Sequence, residues 1–209
     1  MIVRSPRSES SVTLLGTVVS GTDLTVPIKV AAVLFVSALT AAAAQVSVPL
    51  PFTPVPLTLQ PMVVLLGGAA LGSRLGMASQ VVYLLAGMSG LPVFAASATL
   101  PQGALRLLGP TGGYLISYPI AAFVTGWLAE RGFDRRYLTS VAAMGAGLTV
   151  IFAFGVTWLA WFAQFGRAGV AGALATGLYP FFPTDLVKIC IAAGVMPAVW
   201  KLLGRNHPR

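Results

Sequence analysis

Two side chains of opposite charge, Asp185 and Lys188, lie in the last long apolar stretch of the sequence. Residues three apart on an α-helix differ by roughly 60° in direction and about 4.5 Å in height, so the two side chains share one helix face. Each charge costs about 2.5–3.5 kcal/mol at the centre of a membrane helix, which makes an ionisable residue there a candidate functional group. Thr184, directly before Asp185, is predicted to be the N-cap of this helix.

Two interpretations of the pair are open from the residues alone. In the first, Asp185 and Lys188 form a structural ion pair that neutralises itself within the membrane. In the second, one or both face a cavity, where the carboxylate accepts N–H groups and the ammonium donates to a carbonyl or carboxylate. Neither interpretation requires a bond to be broken, so the sequence favours a binding protein over an enzyme.

A second group of candidate residues lies in and after a proline-rich segment at 49–56. Proline fixes its own φ and restrains the residue before it, so we expect an extended, stiff segment without backbone pairing. This segment is either a lid over a cavity, with Phe52, Thr53 and Pro54 as its gating residues, or a rigid connector between two helices. Thr58 and Gln60 then offer a hydroxyl and an amide, as helix caps or as ligand contacts.

The third stretch is the glycine-rich sequence GPTGGY at 109–114, directly before an apolar segment. Its adjacent glycines allow a close backbone approach, and the N–H groups at a helix N-terminus suit an anion or a carbonyl group. Tyr114 offers a ring for stacking or a hydroxyl for hydrogen bonding. Arg106, just before this stretch, is either a partner for a ligand carboxylate or a solvated surface cation.

The composition indicates an integral membrane protein. Of the 209 residues, 56% are hydrophobic and 9% are charged, whereas a typical soluble domain is about 25% charged. The formal charge of +8 would suit nucleic acid. However, basic residues that flank apolar spans are better explained by membrane topology, so we expect membrane lipid around the chain and no nucleic-acid partner.

The sequence lacks the residues that catalysis or cofactor binding would need. The single cysteine, Cys190, is expected to be a buried, inert thiol, and with His207 as the only histidine we predict neither a metal site nor Ser-His-Asp catalysis. Residues 67–73 superficially resemble a phosphate-binding loop, but Ser73 occupies the position where G-x-x-x-x-G-K-[ST] requires lysine. We therefore expect no cofactor and no ATP hydrolysis by this chain.

The apolar residues fall into six segments. A helix needs about 20 apolar residues, with a range of roughly 17–25, to span a bilayer. We therefore predict an all-α integral membrane protein with six transmembrane helices, the second and third of them short, at 28–48, 57–73, 75–91, 113–129, 137–154 or slightly beyond, and 184–203. Residues 1–27 and 204–209 are then cytoplasmic tails, and 28–203 form the membrane domain.

The distribution of lysine and arginine predicts the orientation. With the N-terminus inside, ten of the 13 basic residues lie on the cytoplasmic side, Lys188 lies within a span, and only Arg106 and Arg167 lie outside, as the positive-inside rule favours. Both termini are thus expected in the cytoplasm of a multi-pass protein of the inner (cytoplasmic) membrane. The longer loops, at 47–56, 91–112 and 161–182, then lie outside, where loops of this length commonly bind ligands. Their aromatic residues serve either a site there or an interfacial belt, namely Trp158, Trp161, Phe162 and Tyr179.

Small residues recur at four-residue spacing, at Ala38 and Ala42 and again at Gly68, Gly72 and Gly76. This spacing lets helices approach closely. We interpret both sets as packing positions, either within the protein or against a partner subunit.

Three of these stretches together resemble the signatures of the BioY family, the biotin-specific substrate-binding S components of energy-coupling-factor (ECF) transporters. They are PFTPVPLTLQ at 51–60, GPTGGYL at 109–115 and PTDLVK at 183–188. The resemblance covers nearly all of the chain from residue 28 onward. It implies a six-helix membrane protein that captures biotin on the outer side of the membrane.

The resemblance also implies roles for individual residues. Asp185 corresponds to a group near the ureido head of biotin, and Lys188 to a partner of either the ureido carbonyl or Asp185 itself. Arg106 corresponds to the partner of the biotin carboxylate, although the loop before residue 109 has less glycine than the family pattern. The full set of biotin-binding positions implied is Asp185, Lys188, Thr58, Gln60, Tyr114 and Arg106.

The implied partners are a transmembrane coupling subunit and a pair of ATPases, which drive release of biotin inside the cell. Ala38 and Ala42 on the first helix are the candidates for contact with the coupling subunit. One alternative is a self-sufficient biotin permease that works without ATPase partners. Another, from a different class, is a membrane-embedded structural or chaperone-like protein in which Asp185 and Lys188 only pack.

Overall fold

The computed structural model describes residues 13–19, 25–97, 101–163 and 169–203. Within these ranges the chain is helical apart from one short β-ribbon and the connecting loops. The elements in chain order are α1 (Leu14–Val19), α2 (Thr25–Gln45), β1 (Ser47–Val48), β2 (Leu57–Thr58), α3 (Gln60–Leu71), α4 (Ser73–Met88), α5 (Leu105–Leu108), α6 (Gly112–Ala129), α7 (Tyr137–Ala163), α8 (Gly169–Gly177) and α9 (Phe182–Leu202). Arg167, His207 and most of the predicted N-terminal tail lie outside the described residues.

Each of the six predicted apolar segments forms one helix, and three of these helices are long and apolar enough to cross a membrane: Val26–Gln45, Tyr137–Phe162 and Phe182–Leu202. The second and third segments are short, as predicted, because α3 has 12 residues and α4 has 16. At 1.5 Å per residue these two helices are about 18 and 24 Å long, against a hydrocarbon thickness of about 30 Å.

The helix α6 is the centre of the bundle. It packs against α3, α4 and α7, while α9 packs against α3 and α7, and α2 covers α3 and α4. Ala121 and Ala122 on α6 are completely buried, and their small side chains let the neighbouring helices come close. The side chains that α6 contributes to a site are therefore held by packing on several sides.

The glycines at four-residue spacing serve packing within the bundle, one of the two options predicted for them. A Cβ atom at Gly68 would overlap the backbone of Ala122 on α6, and one at Gly76 would crowd the Cα atom of Gly68. Gly72 has a different role, because its φ of 87° lies in the left-handed region and makes the turn between α3 and α4.

Three details of the loops differ from the sequence predictions. The chain is not purely α-helical, because Ser47 pairs with Thr58 and Val48 with Leu57 in an antiparallel ribbon. The proline-rich segment 49–56 lies between these strands and takes no part in the ribbon, as predicted. It is not fully extended, because the N–H of Thr53 donates to the backbone oxygen of Leu50 at 3.4 Å. The loop expected at 161–182 contains the end of α7 and the helix α8, since its glycine and alanine residues let α8 pack closely on α7. The loop expected at 91–112 likewise contains α5.

Thr184 is not the N-cap of the last helix. The helix α9 begins at Phe182 with Phe181 in the cap position, and Thr184 Oγ1 donates a hydrogen bond to the backbone oxygen of Phe181 at 2.8 Å. Pro183 explains the earlier start, because proline suits the first turn of a helix. Cys190, expected to be buried, is half-buried on the same helix.

Polar contacts join the helices at the end of the bundle where α6 and α9 finish. Glu130 Oε1 accepts hydrogen bonds from the N–H and Oγ of Ser73, at 2.7 and 2.8 Å, and Asp134 Oδ2 accepts one from Trp200 Nε1 at 2.6 Å. Burial raises the pKa of the Asp134 carboxyl, while the Trp200 hydrogen bond and the charge of Arg135 oppose that rise. These contacts fix the ends of the helices whose first turns form the cavity described below.

Replacing Gly68 with alanine is expected to lower the thermal unfolding midpoint, Tm, of the protein in detergent. The added Cβ would overlap the α6 backbone, overpacking costs about 1–3 kcal/mol, and Tm falls by about 2–4 °C per kcal/mol in a chain of this size. Gly194→Ala is the matched control, because a Cβ there meets open space and alanine favours a helix by about 1 kcal/mol. Equal midpoints for Gly68→Ala and the wild type would contradict the close packing of α3 and α6.

Candidate functional site

A cavity lies where the first turns of α3, α6 and α9 meet, next to the proline-rich segment 49–56. Its empty space is about 570 Å³ including the open mouth. Apolar residues such as Val55, Ile151 and Phe152 form much of its wall. The polar side chains that line it are Thr58, Gln60, Arg106, Thr111, Tyr114, Tyr118 and Asp185.

The structure brings five of the six candidate binding residues to this cavity, namely Asp185, Thr58, Gln60, Tyr114 and Arg106. They come from α9, β2, α3, α6 and α5, so segments far apart in sequence build one site. The sixth residue, Lys188, lies beside Asp185, and its hydrogen bonds are to protein groups.

Asp185 and Lys188 share one face of α9, as the helical spacing predicts. Asp185 is only 4% exposed, and Lys188 Nζ lies 2.6 Å from Asp185 Oδ1. The same ammonium donates to the backbone oxygen of Thr58 at 2.8 Å. A buried carboxylate is costly unless it is paired, so Lys188 both neutralises Asp185 and ties α9 to the strand before α3.

Thr58 and Gln60 belong to a chain of hydrogen bonds that ends in the loop after α4. Thr58 Oγ1 donates to Gln60 Oε1 at 3.2 Å, and Gln60 Nε2 donates to the Tyr83 hydroxyl at 2.7 Å. That hydroxyl donates in turn to the backbone oxygen of Val93 at 3.3 Å. Thr58 Oγ1 also accepts the N–H of Gln60 at 3.3 Å, whereas the N-cap residue of α3 is Leu59, which makes no side-chain capping hydrogen bond.

Arg106 is buried, with 1% of its surface exposed, so the alternative of a solvated surface cation is wrong. Its Nη2 atom donates to the backbone oxygen of Ala95 at 2.9 Å. Burial lowers the pKa of the guanidinium from its usual value, yet arginine keeps its charge at neutral pH. The cavity thus has a buried cation in its wall.

Tyr114 is wedged between α7 and α8, where two glycines leave room for its ring. A Cβ atom at Gly155 would overlap the ring, and one at Gly177 would overlap its hydroxyl. The Tyr114 hydroxyl donates to the backbone oxygen of Gly177 at 2.8 Å. Because this hydrogen bond holds the ring in place, Tyr114 offers the cavity an aromatic surface.

The aromatic residues that follow along α7 and α8 have different environments. Trp158 is half-buried, and its Nε1 atom donates to the backbone oxygen of Gly109 at 2.9 Å, which braces the glycine-rich turn. Trp161, Phe162 and Tyr179 are exposed, as residues of an interfacial belt would be.

The segment between the two strands has one residue facing inward and another facing outward. Val55 is buried against the cavity, whereas Phe52 is 59% exposed. Thr53 accepts the N–H of Val55 with its Oγ1 atom at 3.2 Å, and its own N–H donates to the backbone oxygen of Leu50 at 3.4 Å. The segment is therefore a compact turn closed by the ribbon.

The sequence predictions missed several residues of the cavity. Tyr118 lines the cavity from an apolar helix, where a search for polar groups in apolar segments would have found it. Tyr83 lies outside the cavity wall and holds Gln60 through its hydroxyl. Thr111 lies within the glycine-rich stretch but was not singled out. Phe94 meets the Tyr83 ring edge to face, with 5.6 Å between the ring centroids, and no local pattern marks this loop residue.

The apolar helices define the class of this protein as a multi-pass membrane protein, and its described residues enclose a cavity with polar lining. A family profile described as "BioY family" matches residues 16–205. The chain belongs to the BioY family.

Individual relatives agree with this assignment. The chain is 44% identical over 155 residues to the "Probable biotin transporter BioY" of Pyrococcus horikoshii, covering 74% of this chain and 85% of that one. It is 38% identical over 166 residues to the "Biotin transporter BioY" of Thermotoga maritima, covering 79% and 92%.

A solved structure of the S-component for biotin from an ECF-type ABC transporter has the same fold. Its TM-score is 0.76 at 24% sequence identity, over 86% of this chain and 94% of that one.

We expect Lys188→Met to destabilise the unliganded protein more than removal of both charges does. The single change leaves Asp185 as a buried charge without its partner, and breaking such a pair costs about 3–5 kcal/mol. The double variant Asp185→Asn/Lys188→Met removes both charges of the pair, so its Tm should lie above that of Lys188→Met. Lys201→Met, at an exposed position on the same helix, should leave Tm unchanged. Additive losses in the double variant would contradict a direct pair.

Proposed function

We propose that this chain binds biotin on the outer side of the membrane and delivers it inward as the S component of an ECF transporter. The observation that carries the proposal is one cavity whose wall contains a buried carboxylate, a buried guanidinium and aromatic side chains. Biotin offers matching groups, namely two ureido N–H donors and a carbonyl, an apolar thioether ring and chain, and a carboxylate. The similarity to proteins named as biotin transporters supports this substrate.

In this proposal Asp185 accepts the ureido N–H groups of biotin. In the described part of the chain, its side chain is engaged with protein through Oδ1, which leaves Oδ2 for a donor within the cavity. The main role of Lys188 is to position that carboxylate, because its ammonium already binds Asp185 and the backbone oxygen of Thr58. Leaving a buried polar group of biotin unpaired would cost about 1–3 kcal/mol.

In this proposal Arg106 pairs with the carboxylate of biotin. The ring of Tyr114 packs against the apolar part of biotin. Arg106 is the buried cation of the cavity wall, and a guanidinium pairs well with a carboxylate. Phe52, Thr53 and Pro54 form the gate above the ligand, since Val55 next to them already lines the cavity.

We further propose six membrane-spanning helices with both termini in the cytoplasm, in the cytoplasmic membrane. The basic residues support this orientation, because those near helix ends lie mostly away from the cavity. Arg74 follows the end of α3, the residues Arg131, Arg135 and Arg136 follow α6, and Lys201 is at the end of α9. Since α3, α6 and α9 all begin at the cavity, the positive-inside rule directs the cavity outward.

The exposed face of α2 is the proposed contact with a transmembrane coupling subunit, which works with an ATPase pair. The helix buries Val33, Val36 and Thr40 against the bundle, while Ala38 and Ala42 are exposed on another face. Small residues on an exposed face allow a partner helix to approach closely. The solved structure with the same fold comes from an ECF-type ABC transporter, which supports this kind of partner.

Asp185→Asn is expected to weaken biotin binding at least tenfold, which is about 1.4 kcal/mol. The amide replaces one acceptor oxygen with a donor that faces the ureido N–H groups. A titration of the purified protein in detergent with biotin measures the change. Asp134→Asn makes the same substitution at a buried position outside the cavity and should keep the wild-type affinity. Wild-type affinity in Asp185→Asn would remove Asp185 from the site.

Ala38→Trp and Ala42→Trp are expected to leave biotin affinity unchanged but to lower uptake into cells several-fold. The large ring would separate α2 from the coupling subunit without touching the cavity. Ala142→Trp, at an exposed position of α7, is the matched control and should transport normally. Normal uptake by both α2 variants would contradict the contact, and full uptake in a host without coupling subunits would favour a self-sufficient permease.

A further inference from the structure

The side chain of Thr111 is buried in the cavity wall with its hydroxyl unsatisfied. The residue is 5% exposed and lines the cavity, and its Oγ1 atom has no hydrogen-bond partner among the described residues. Buried hydroxyls elsewhere on these helices are satisfied, as Thr40 Oγ1 donates to the backbone oxygen of Val36 and Ser117 Oγ to that of Tyr114. An unsatisfied buried hydroxyl costs about 1–3 kcal/mol.

The position of Thr111 would normally give its hydroxyl a structural role. Threonine directly before a helix usually caps it, by accepting an N–H of the first turn. Thr111 is the residue before α6, but its φ of −87° and ψ of −4° are helical, and within the described ranges its side chain makes no capping hydrogen bond. The hydroxyl is therefore not used to cap the helix, and it has no hydrogen-bond partner among the described residues.

The surroundings of Thr111 favour a negatively charged group. Arg106 lies on the same compact turn, in which the N–H of Gly109 donates to the Arg106 oxygen at 3.2 Å and that of Gly112 donates to the Gly109 oxygen at 3.0 Å. Both Arg106 and Thr111 line the cavity. The turn leads into the N-terminus of α6, an 18-residue helix whose dipole is positive at this end.

We infer that Thr111 is a specificity-determining residue that donates a hydrogen bond from Oγ1 to the ligand carboxylate. Arg106 neutralises the charge of that carboxylate, while Thr111 fixes its orientation at the start of α6. The inference rests on the proposed binding of biotin and adds a residue to it. A neutral ligand end would gain less from this subsite, because hydrogen bonds to charged groups are roughly twice as strong as neutral ones.

The test compares biotin with biotinol, in which an alcohol replaces the carboxylate, as ligands of Thr111→Val. Valine has nearly the same shape as threonine without the hydroxyl. We expect Thr111→Val to bind biotin about tenfold more weakly and biotinol almost unchanged, in titrations of the purified full-length protein in detergent. Thr111→Ser, which keeps the hydroxyl, should restore most of the preference for biotin. Unchanged biotin affinity, or an equal loss for both ligands, would overturn the inference.

Stability separates this role from a structural one. Because the hydroxyl has no partner in the described part of the protein, Thr111→Val should have an unliganded Tm equal to or above that of the wild type, with a smaller rise on adding biotin. Thr125→Val is the matched control on the same helix, since Thr125 is fully buried and its hydroxyl donates to the backbone oxygen of Ala143. It should bind both ligands like the wild type. If the wild type binds neither ligand, the proposed function itself fails, whereas wild-type binding with an unaffected Thr111→Val overturns only the role of Thr111.

Discussion

The site depends on one half-buried ammonium with two acceptors. Lys188 Nζ holds both Asp185 on its own helix and the backbone oxygen of Thr58, 130 residues earlier in the chain. Asp185 stays charged in a wall of low polarity only if a cation lies beside it. The same lysine holds the strand before α3 against α9 through the backbone oxygen of Thr58. A single lysine therefore fixes the position of the carboxylate and of the residues that lead into Gln60.

The cavity is built from the beginnings of helices. The helices α3, α6 and α9 all start there, and the positive ends of their dipoles favour acceptor groups and anions in the space between them. Such helix ends leave N–H groups unpaired within the helix, so polar chemistry concentrates where the spans meet the loops. The opposite ends of α6 and α9 are joined instead by protein contacts, such as the hydrogen bond between Trp200 and Asp134. The cavity and the contacts that anchor the helices thus lie at opposite ends of the same helices.

Much of the fold and part of the site could be predicted from local patterns. The six apolar segments were found because hydrophobicity needs no tertiary contact to be recognised, and the glycines of α3 and α4 were found from their spacing. The β-ribbon and α8 were missed, because a two-residue strand and a glycine-alanine helix carry almost no periodic signal. Tyr83 and Thr111 were missed because their importance comes from neighbours on other elements. Arg106 was left undecided, since only packing determines whether a cation beside a loop is solvated.

The sequence by itself determined the membrane class, the three stretches that resemble the BioY family and the shared helix face of Asp185 and Lys188, because helical geometry acts over three residues. Only the tertiary structure decided that Lys188 also binds the Thr58 backbone, that Arg106 is buried, and that the Thr111 hydroxyl has no partner among the described residues. The physical reason is that burial and hydrogen-bond satisfaction are properties of packed neighbours, which come from segments distant in the chain.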